Sequence, residues 1–262
     1  MTQPPSRRPR FLLGLAVTSA LVVLAGVAVE TGAQGKAPAP AGHVSFLDGR
    51  AWRSAPHAKA ARLKKGAAVY VGDRVRTGHG ARLELRLRDG SAVRLGPKSK
   101  MVLDAAQFTR KKERKKVTIK LLLGRIWSKV THAVHGDDTF KVATDSAVAG
   151  VRGTSFRVNA MADKSTLVRV YSGTVAVVGI HPIYARKTPG KERKEVPGPQ
   201  EVSKKHWERI VTSQMSVEVS AAGVPGKPEH FKLADDLKAD KDGWIAWNRD
   251  RDKAWNKAHH QQ

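Results

Sequence analysis

Cysteine is absent from the 262-residue chain. That excludes disulfides, thiolate metal sites and thiol nucleophiles, and it leaves the redox compartment open. Aromatic residues are scarce, at 6%. Within the basic region they are too scattered to form a base-stacking platform, so sequence-specific reading of nucleic acid is not expected. Acidic residues are the third shortage: 23 Asp and Glu stand against 48 Lys and Arg, for a net charge of +25. The imbalance is concentrated in residues 36–180, which carry 29 basic and 10 acidic side chains. A field of that sign attracts polyanions such as acidic glycans, anionic lipid headgroups or acidic protein faces.

Catalytic groupings are equally sparse. The segment Gly96-Pro97-Lys98-Ser99-Lys100 lacks the upstream glycine of a phosphate loop, and Pro97 removes an amide donor. No serine sits in a nucleophile-elbow pattern. The ten histidines are scattered; the nearest approach to a metal set is His132, His135, Asp137 and Asp138, between two strand candidates, where a polar turn is the plainer reading. The expectation is a protein with no catalytic residues, no cofactor and no metal.

At the N-terminus, Arg7, Arg8 and Arg10 precede an apolar run over residues 11–29. Basic residues before an apolar stretch mark a secretory signal, with the small residues Thr31, Gly32 and Ala33 offered for cleavage. The run is longer than a typical signal core of roughly 7–15 residues and close to the roughly 20 of a spanning helix. Residues 1–34 therefore read as a signal peptide or an uncleaved membrane anchor, with the remainder of the chain extracytoplasmic. Residues 35–42 form a Pro/Ala linker.

Residues 43–180 read as a β-domain. In 81–88 the residues Leu83, Leu85 and Leu87 share one face, while Arg82, Glu84, Arg86 and Arg88 share the other, giving one buried and one wet side. Asp89-Gly90 then signals a two-residue hairpin returning through 91–95. Further strand candidates are 116–122 and 124–130, paired around Gly124, and 139–143, 154–158, 166–171 and 174–178. A corner at Val151-Arg152-Gly153-Thr154 is expected to use unusual backbone angles at Gly153 and a local hydrogen bond from Thr154. The run Arg110 to Lys116, with Lys111, Lys112, Arg114, Lys115 and Lys116, is either a charged hairpin tip guarding an edge strand or a grip for a polyanion.

Residues 181–262 change character to a basic linker and tail. Ser203 is expected to cap a short helix carrying Trp207, Ile210, Val211 and Met215; alternatively, 215–219 adds a strand. A second helix is expected from about Asp242, with Trp244, Trp247 or Asn248, Arg251 and Trp255 along one side. These tryptophans either pack back onto the β-domain or a second copy, or offer a ligand platform.

Five ordered blocks carry a family resemblance: Gly72-Asp73-Arg74-Val75-Arg76-Thr77, Asp89-Gly90-Ser91, Leu122-Leu123-Gly124-Arg125-Ile126, Phe140-Lys141-Val142-Ala143-Thr144 and Val151-Arg152-Gly153-Thr154-Ser155-Phe156. They resemble the FecR domain, the extracytoplasmic β-domain of the iron-dicitrate sensor family. The resemblance implies an all-β fold: a multi-stranded antiparallel sandwich or solenoid-like FecR domain, preceded by an apolar helix and followed by a helical Trp-rich tail. In that family a cytoplasmic anti-sigma domain precedes the membrane helix. Here ten residues precede the apolar run, so the signalling role is not expected to transfer.

Two functions are expected. One is a non-enzymatic interaction or sensing scaffold of the cell envelope with a protein partner. The other is a binding module for an anionic envelope polymer, an acidic glycan or lipopolysaccharide. Expected contacts are Arg82, Arg86, Arg94, the basic run 111–116, Trp244, Trp247 and Trp255, with Gly153, Thr154 and Gly90 as structural turns.

Overall fold

Alternation of apolar and polar residues turns into paired strands throughout. A computed structural model of the chain describes residues 38–108, 115–130, 139–180 and 208–259. Strands β1 (Gly42–Asp48), β2 (Ala51–Ser54), β3 (Ala61–Arg62), β4 (Ala68–Val69) and β5 (Arg74–Thr77) come first. They are followed by β6 (Arg82–Leu87), β7 (Ala92–Leu95), β8 (Lys100–Phe108), β9 (Lys115–Lys129) and β10 (Thr139–Ala143). The last strands are β11 (Ala147–Ala160), β12 (Thr166–Gly179), β13 (Glu208–Thr212), β14 (Met215–Val219) and β15 (Glu229–His230). Two helices end the described chain, α1 (Leu233–Lys238) and α2 (Trp244–His259). No helix of the described residues is long and apolar enough to cross a membrane. The apolar run 11–29 lies outside the described residues.

All fifteen strands belong to one hydrogen-bonded sheet, and Pro38–Gln262 form one compact unit. Three long strands make this possible, because each changes neighbours partway along. The first half of β9 pairs with β8 and β10, and its second half, from Gly124, pairs with β7 and β11. Likewise β11 leaves β10 and joins β9 beyond Gly153, while β12 pairs with β14 before Gly173 and with β13 after it. The sheet is thereby divided into two limbs. The first runs β3-β2-β5-β8-β9-β10-β11-β12-β13 and the second β4-β1-β6-β7-β9-β11-β12-β14-β15.

Their inner faces share one core. Across the second limb, Leu83, Leu95, Ile126, Val158, Val168 and Val217 stand in one register row, all buried. Across the first, Leu103, Ile119, Val142, Ala149 and Val177 do the same. Side chains with period two supply these rows, and burying each aliphatic group removes water from its apolar surface, worth about 1.5–3 kcal/mol per side chain.

The structure corrects several expectations. Residues 116–122 and 124–130 are not two paired strands but one, bent at Gly124. The corner at 151–154 lies inside β11, at a register shift between Arg152 and Ser155. There Gly153 takes a φ of 57°, whereas Thr154 Oγ1 is buried with no hydrogen-bond partner among the described residues. The Asp89-Gly90 turn holds three residues, Arg88 to Gly90: the Leu87 N–H donates to the Ser91 carbonyl at 2.9 Å and the Gly90 N–H to the Leu87 carbonyl at 3.0 Å. With Gly90 at φ 85° this is a three-residue loop ending in a left-handed residue. Pairing is antiparallel except between β9 and β10, which run parallel. Residues 208–212 are strand rather than helix, with Ile210 exposed and Val211 buried against the core. Residues 215–219 do form a strand.

Gly173, at φ 83°, faces the bend in β11. A Cβ there would lie 2.5 Å from Thr154 Cγ2 and 2.8 Å from the Gly153 carbonyl oxygen. Gly153→Ala carries the left-handed backbone penalty of about 1–2 kcal/mol. Gly173→Ala adds overlap with backbone to the same penalty. Both variants are expected to melt at lower temperature than the wild type. Thermal unfolding by circular dichroism checks this; a Gly173→Ala protein as stable as the wild type contradicts it.

Candidate functional site: a helix-capped face and an open face

The outer face of the second limb should be wet by its alternation, yet it is covered. One register row across it reads Phe46, Glu84, Arg94, Trp127, Arg157, Arg169 and Ser216. Glu84, Arg94, Trp127 and Arg157 are buried, Arg94 to 1% exposure. Desolvated charge of this kind persists only when paired and hydrogen-bonded. The partners come from the C-terminal helices.

Arg94 donates from Nε to Glu84 at 2.6 Å and from Nη1 to Asp252 at 2.6 Å. Asp252 also accepts the Trp127 indole N–H at 3.0 Å. Glu84 further accepts from Arg251 at 2.8 and 3.0 Å and from the Ser45 hydroxyl at 2.6 Å. On α1, Asp236 takes Arg157 at 2.9 Å, together with Arg169 and the Tyr171 hydroxyl. Burial raises the Tyr171 hydroxyl above its ordinary range, so it stays protonated and donates.

Aromatic packing closes the rest. Trp127 stacks on Tyr171 at 4.2 Å and meets Trp244 edge-on at 6.3 Å; Trp244 is fully buried. At the start of α2, Asp240 Oδ2 accepts the Ile245 N–H at 2.6 Å, and Asp242 pairs with Arg125. Acid at a helix N-terminus both satisfies free amides and meets the positive end of the dipole.

The expected contact residues fall largely on this capped face. Arg94, beneath α2, and Trp244, buried at the start of α2 itself, have no surface for a partner. Arg82 reaches the Asp242 carbonyl and the Trp247 ring. Arg86 donates to the Gly90 carbonyl at 3.0 Å and to Glu84 at 3.3 Å. Trp247 packs on Phe46 at 5.3 Å, and Lys129 lies over Trp255 at 5.1 Å. Arg82, Arg86, Arg94, Trp244 and Trp247 are thus brought together, as the chain's own helix–sheet junction. Lys115 and Lys116 open β9; Lys111, Lys112 and Arg114, like the group His132, His135, Asp137 and Asp138, lie outside the described residues.

The first limb presents the opposite case. Its outer row reads Ser54, Arg74, Val102, Lys120, Ala143, Val148, Val178 and Glu208 across eight strands. No described helix covers it. The β10–β13 part is apolar: Ala143, Val148, Gly150, Ala176, Val178 and Ile210 lie together, with Val178 39% and Ile210 54% exposed. The β2–β9 part is cationic. Sequence reasoning missed this face; its signal was the alternation Arg74-Val75-Arg76-Thr77.

Glu84 sets the pH response of the capped face. Burial works against its charged form, but the hydrogen bonds from Arg251 and Ser45 and the charge of Arg94 outweigh burial and hold the carboxyl at about 2, below its ordinary 4.5. A carboxyl depressed in the folded state stabilises it above pH 4.5, and that contribution fades as pH falls toward 2. Helix α2 is expected to loosen over this window, read as a change in tryptophan fluorescence. Glu84→Gln is expected to flatten the transition, and an unchanged profile in that variant contradicts the assignment. Asp252→Ala leaves Arg94 buried with one carboxylate fewer and is expected to cost about 3–5 kcal/mol, with α2 becoming cleavable in limited proteolysis.

No curated protein matches the chain. Among solved structures, two crystal structures of a candidate anti-sigma factor from Parabacteroides distasonis, at 2.50 and 1.65 Å resolution, are similar at 18% identity and a TM-score of 0.40. They cover 60% and 63% of this chain and 59% and 65% of their own, so the chain spans about three fifths of their length. The family model of the FecR protein matches residues 73–176, from β5 into β12. Residues 73–176 of the chain are thus similar to the FecR domain.

Proposed function

We propose that this chain is a non-enzymatic interaction and sensing scaffold of the cell envelope, exported or anchored through residues 11–29. The observation that supports this reading is the asymmetry of the two limbs. One outer face is closed by the chain's own helices, and the other carries an exposed apolar stretch on β10–β13. Val178 and Ile210 stand there beside Ala143, Val148 and Ala176, rimmed by Lys141 and Glu208. An apolar centre with a charged rim is the composition of a protein docking surface. The partner is an envelope protein that lays an apolar surface over this stretch.

A photoreactive amino acid at Ile210 in the full chain, expressed in cells, is expected to give a discrete crosslinked adduct that forms at high salt and disappears on Val178→Lys. The same probe at Ala246, exposed on α2, is expected to give none. Absence of a discrete adduct from Ile210 overturns the reading. Equal adducts from both positions do so as well.

A further inference from the structure

The cationic part of the open face has features that the apolar part lacks. Arg62, Trp52, Arg76 and Lys100 stand in one register row over β3, β2, β5 and β8. Ser54, Arg74, Val102 and Lys120 form the next row, continuing onto β9. Arg62, Arg74, Arg76, Lys100 and Lys120 are all exposed. Among the described residues one acid enters this field: Asp104, which pairs with Lys120 at 3.1 Å. Among the described residues, Arg62, Arg74, Arg76 and Lys100 have no carboxylate partner.

The second row floors a groove of about 600 Å³, walled by the loop Ala55, Pro56, His57 and Ala58 and by the exposed Leu122. A smaller cavity of about 230 Å³ adjoins it over Trp52, Arg76 and Lys100. Strand spacing places the cationic heads on a lattice of about 4.8 Å across strands and about 6.7 Å along them. A lattice of that kind matches negative charges repeated along a chain better than a single anion. The groove walls add apolar carbon from Pro56, Ala58, Val102 and Leu122.

Trp52 is the single aromatic residue in these two rows, and Arg76 lies over its ring at 4.2 Å. Successive nucleobases therefore find no platform on which to stack. A sugar chain needs none: its ring carbons can lie on the apolar wall while its carboxylates, sulfates or phosphates meet the arginines. Guanidinium groups receive such oxyanions in bidentate fashion.

We infer that the groove over β2, β5, β8 and β9 is a binding site for a linear acidic polysaccharide, held by Arg74, Arg76, Lys100 and Lys120 beside Trp52. The site is separate from the apolar stretch on β10–β13 and stands or falls independently of the protein-partner reading.

The test uses the full chain and titrates polygalacturonate, neutral dextran, polyglutamate and single-stranded DNA of matched length, with binding followed calorimetrically. Polygalacturonate is expected to bind, weakening at least tenfold as salt rises from low to physiological strength and beyond. Dextran is expected not to bind. The triple variant Arg74→Glu, Arg76→Glu, Lys100→Glu is expected to lose affinity by about a hundredfold. A control with the same charge change outside the groove lining, Lys227→Glu, Lys238→Glu, Lys241→Glu, is expected to stay within about twofold to threefold. Circular dichroism melts establish that both variants fold; Trp52→Ala, which keeps every charge, provides a second reading and is expected to weaken the polysaccharide alone. Equal losses in the two triple variants reduce the effect to net charge and overturn the proposal. Tighter binding of polyglutamate or DNA than of polygalacturonate also overturns it.

Discussion

The Arg94 guanidinium, shared between Glu84 on the adjacent strand and Asp252 on the last helix, is the contact on which the rest of the arrangement depends. A buried arginine with a single carboxylate would be a liability, since the dehydration of both ions is compensated only by near-complete hydrogen bonding. Here Glu84 is completed by Arg251 and Ser45, and Asp252 by the Trp127 indole. Strand, core aromatic and helix are therefore fixed in one another's presence. The value of such a network lies in specificity of docking more than in net stability: a helix displaced by one turn would leave several charges unpaired. Apolar contacts at Trp244 and Ile245 supply the dehydrated surroundings in which those pairs are strong.

The same network accounts for the distribution of charge on the surface. Acid is scarce in this chain, and much of what the C-terminal segment offers is consumed by the capped face. Asp236 meets Arg157 and Arg169, Asp240 and Asp242 meet Arg125, and Asp252 meets Arg94. The first limb receives no described helix, and among the described residues Asp104 and Asp73 pair with its Lys120 and Arg53. A strongly basic chain thus neutralises one side of its sheet internally and keeps the other electropositive.

Much of the β-architecture was legible in alternation, because period two survives wherever one face meets the core. The hydrophobic positions Leu83, Leu85 and Leu87, and the tail positions Trp244, Asn248 and Arg251, fall where their spacing puts them. What misled was punctuation. Gly124 and Gly153 read as strand ends, since glycine at positive φ usually stops a strand; here it bends one strand so that its two halves serve two limbs. Ile210 and Val211 fit helical spacing as well as strand alternation over so short a span, and pairing with Ala176 and Val175 decided for the strand. The polar side of Arg82 to Arg88 read as wet because its cover arrives from more than 150 residues downstream. No local window contains that information.

The extent of the family match sharpens the role of the tail. Residues 73–176 include Arg94, Trp127, Arg157, Arg169 and Tyr171, the charged and aromatic row of the second limb. Every helical carboxylate that satisfies this row, Asp236 and Asp252 among them, lies after residue 176. Within the matched segment itself, Arg94 has Glu84 as its partner, whereas Arg157 and Arg169 meet Asp236 of the helix that covers the sheet. Burial of the row is therefore a property the C-terminal segment confers on these strands, not one they possess alone. The β10–β13 stretch and the cationic groove need no such cover, since their core contacts are complete on the inner face. The two limbs of one continuous sheet thus differ by a single asymmetry: the described helices, and most of the acid they carry, lie on one side only.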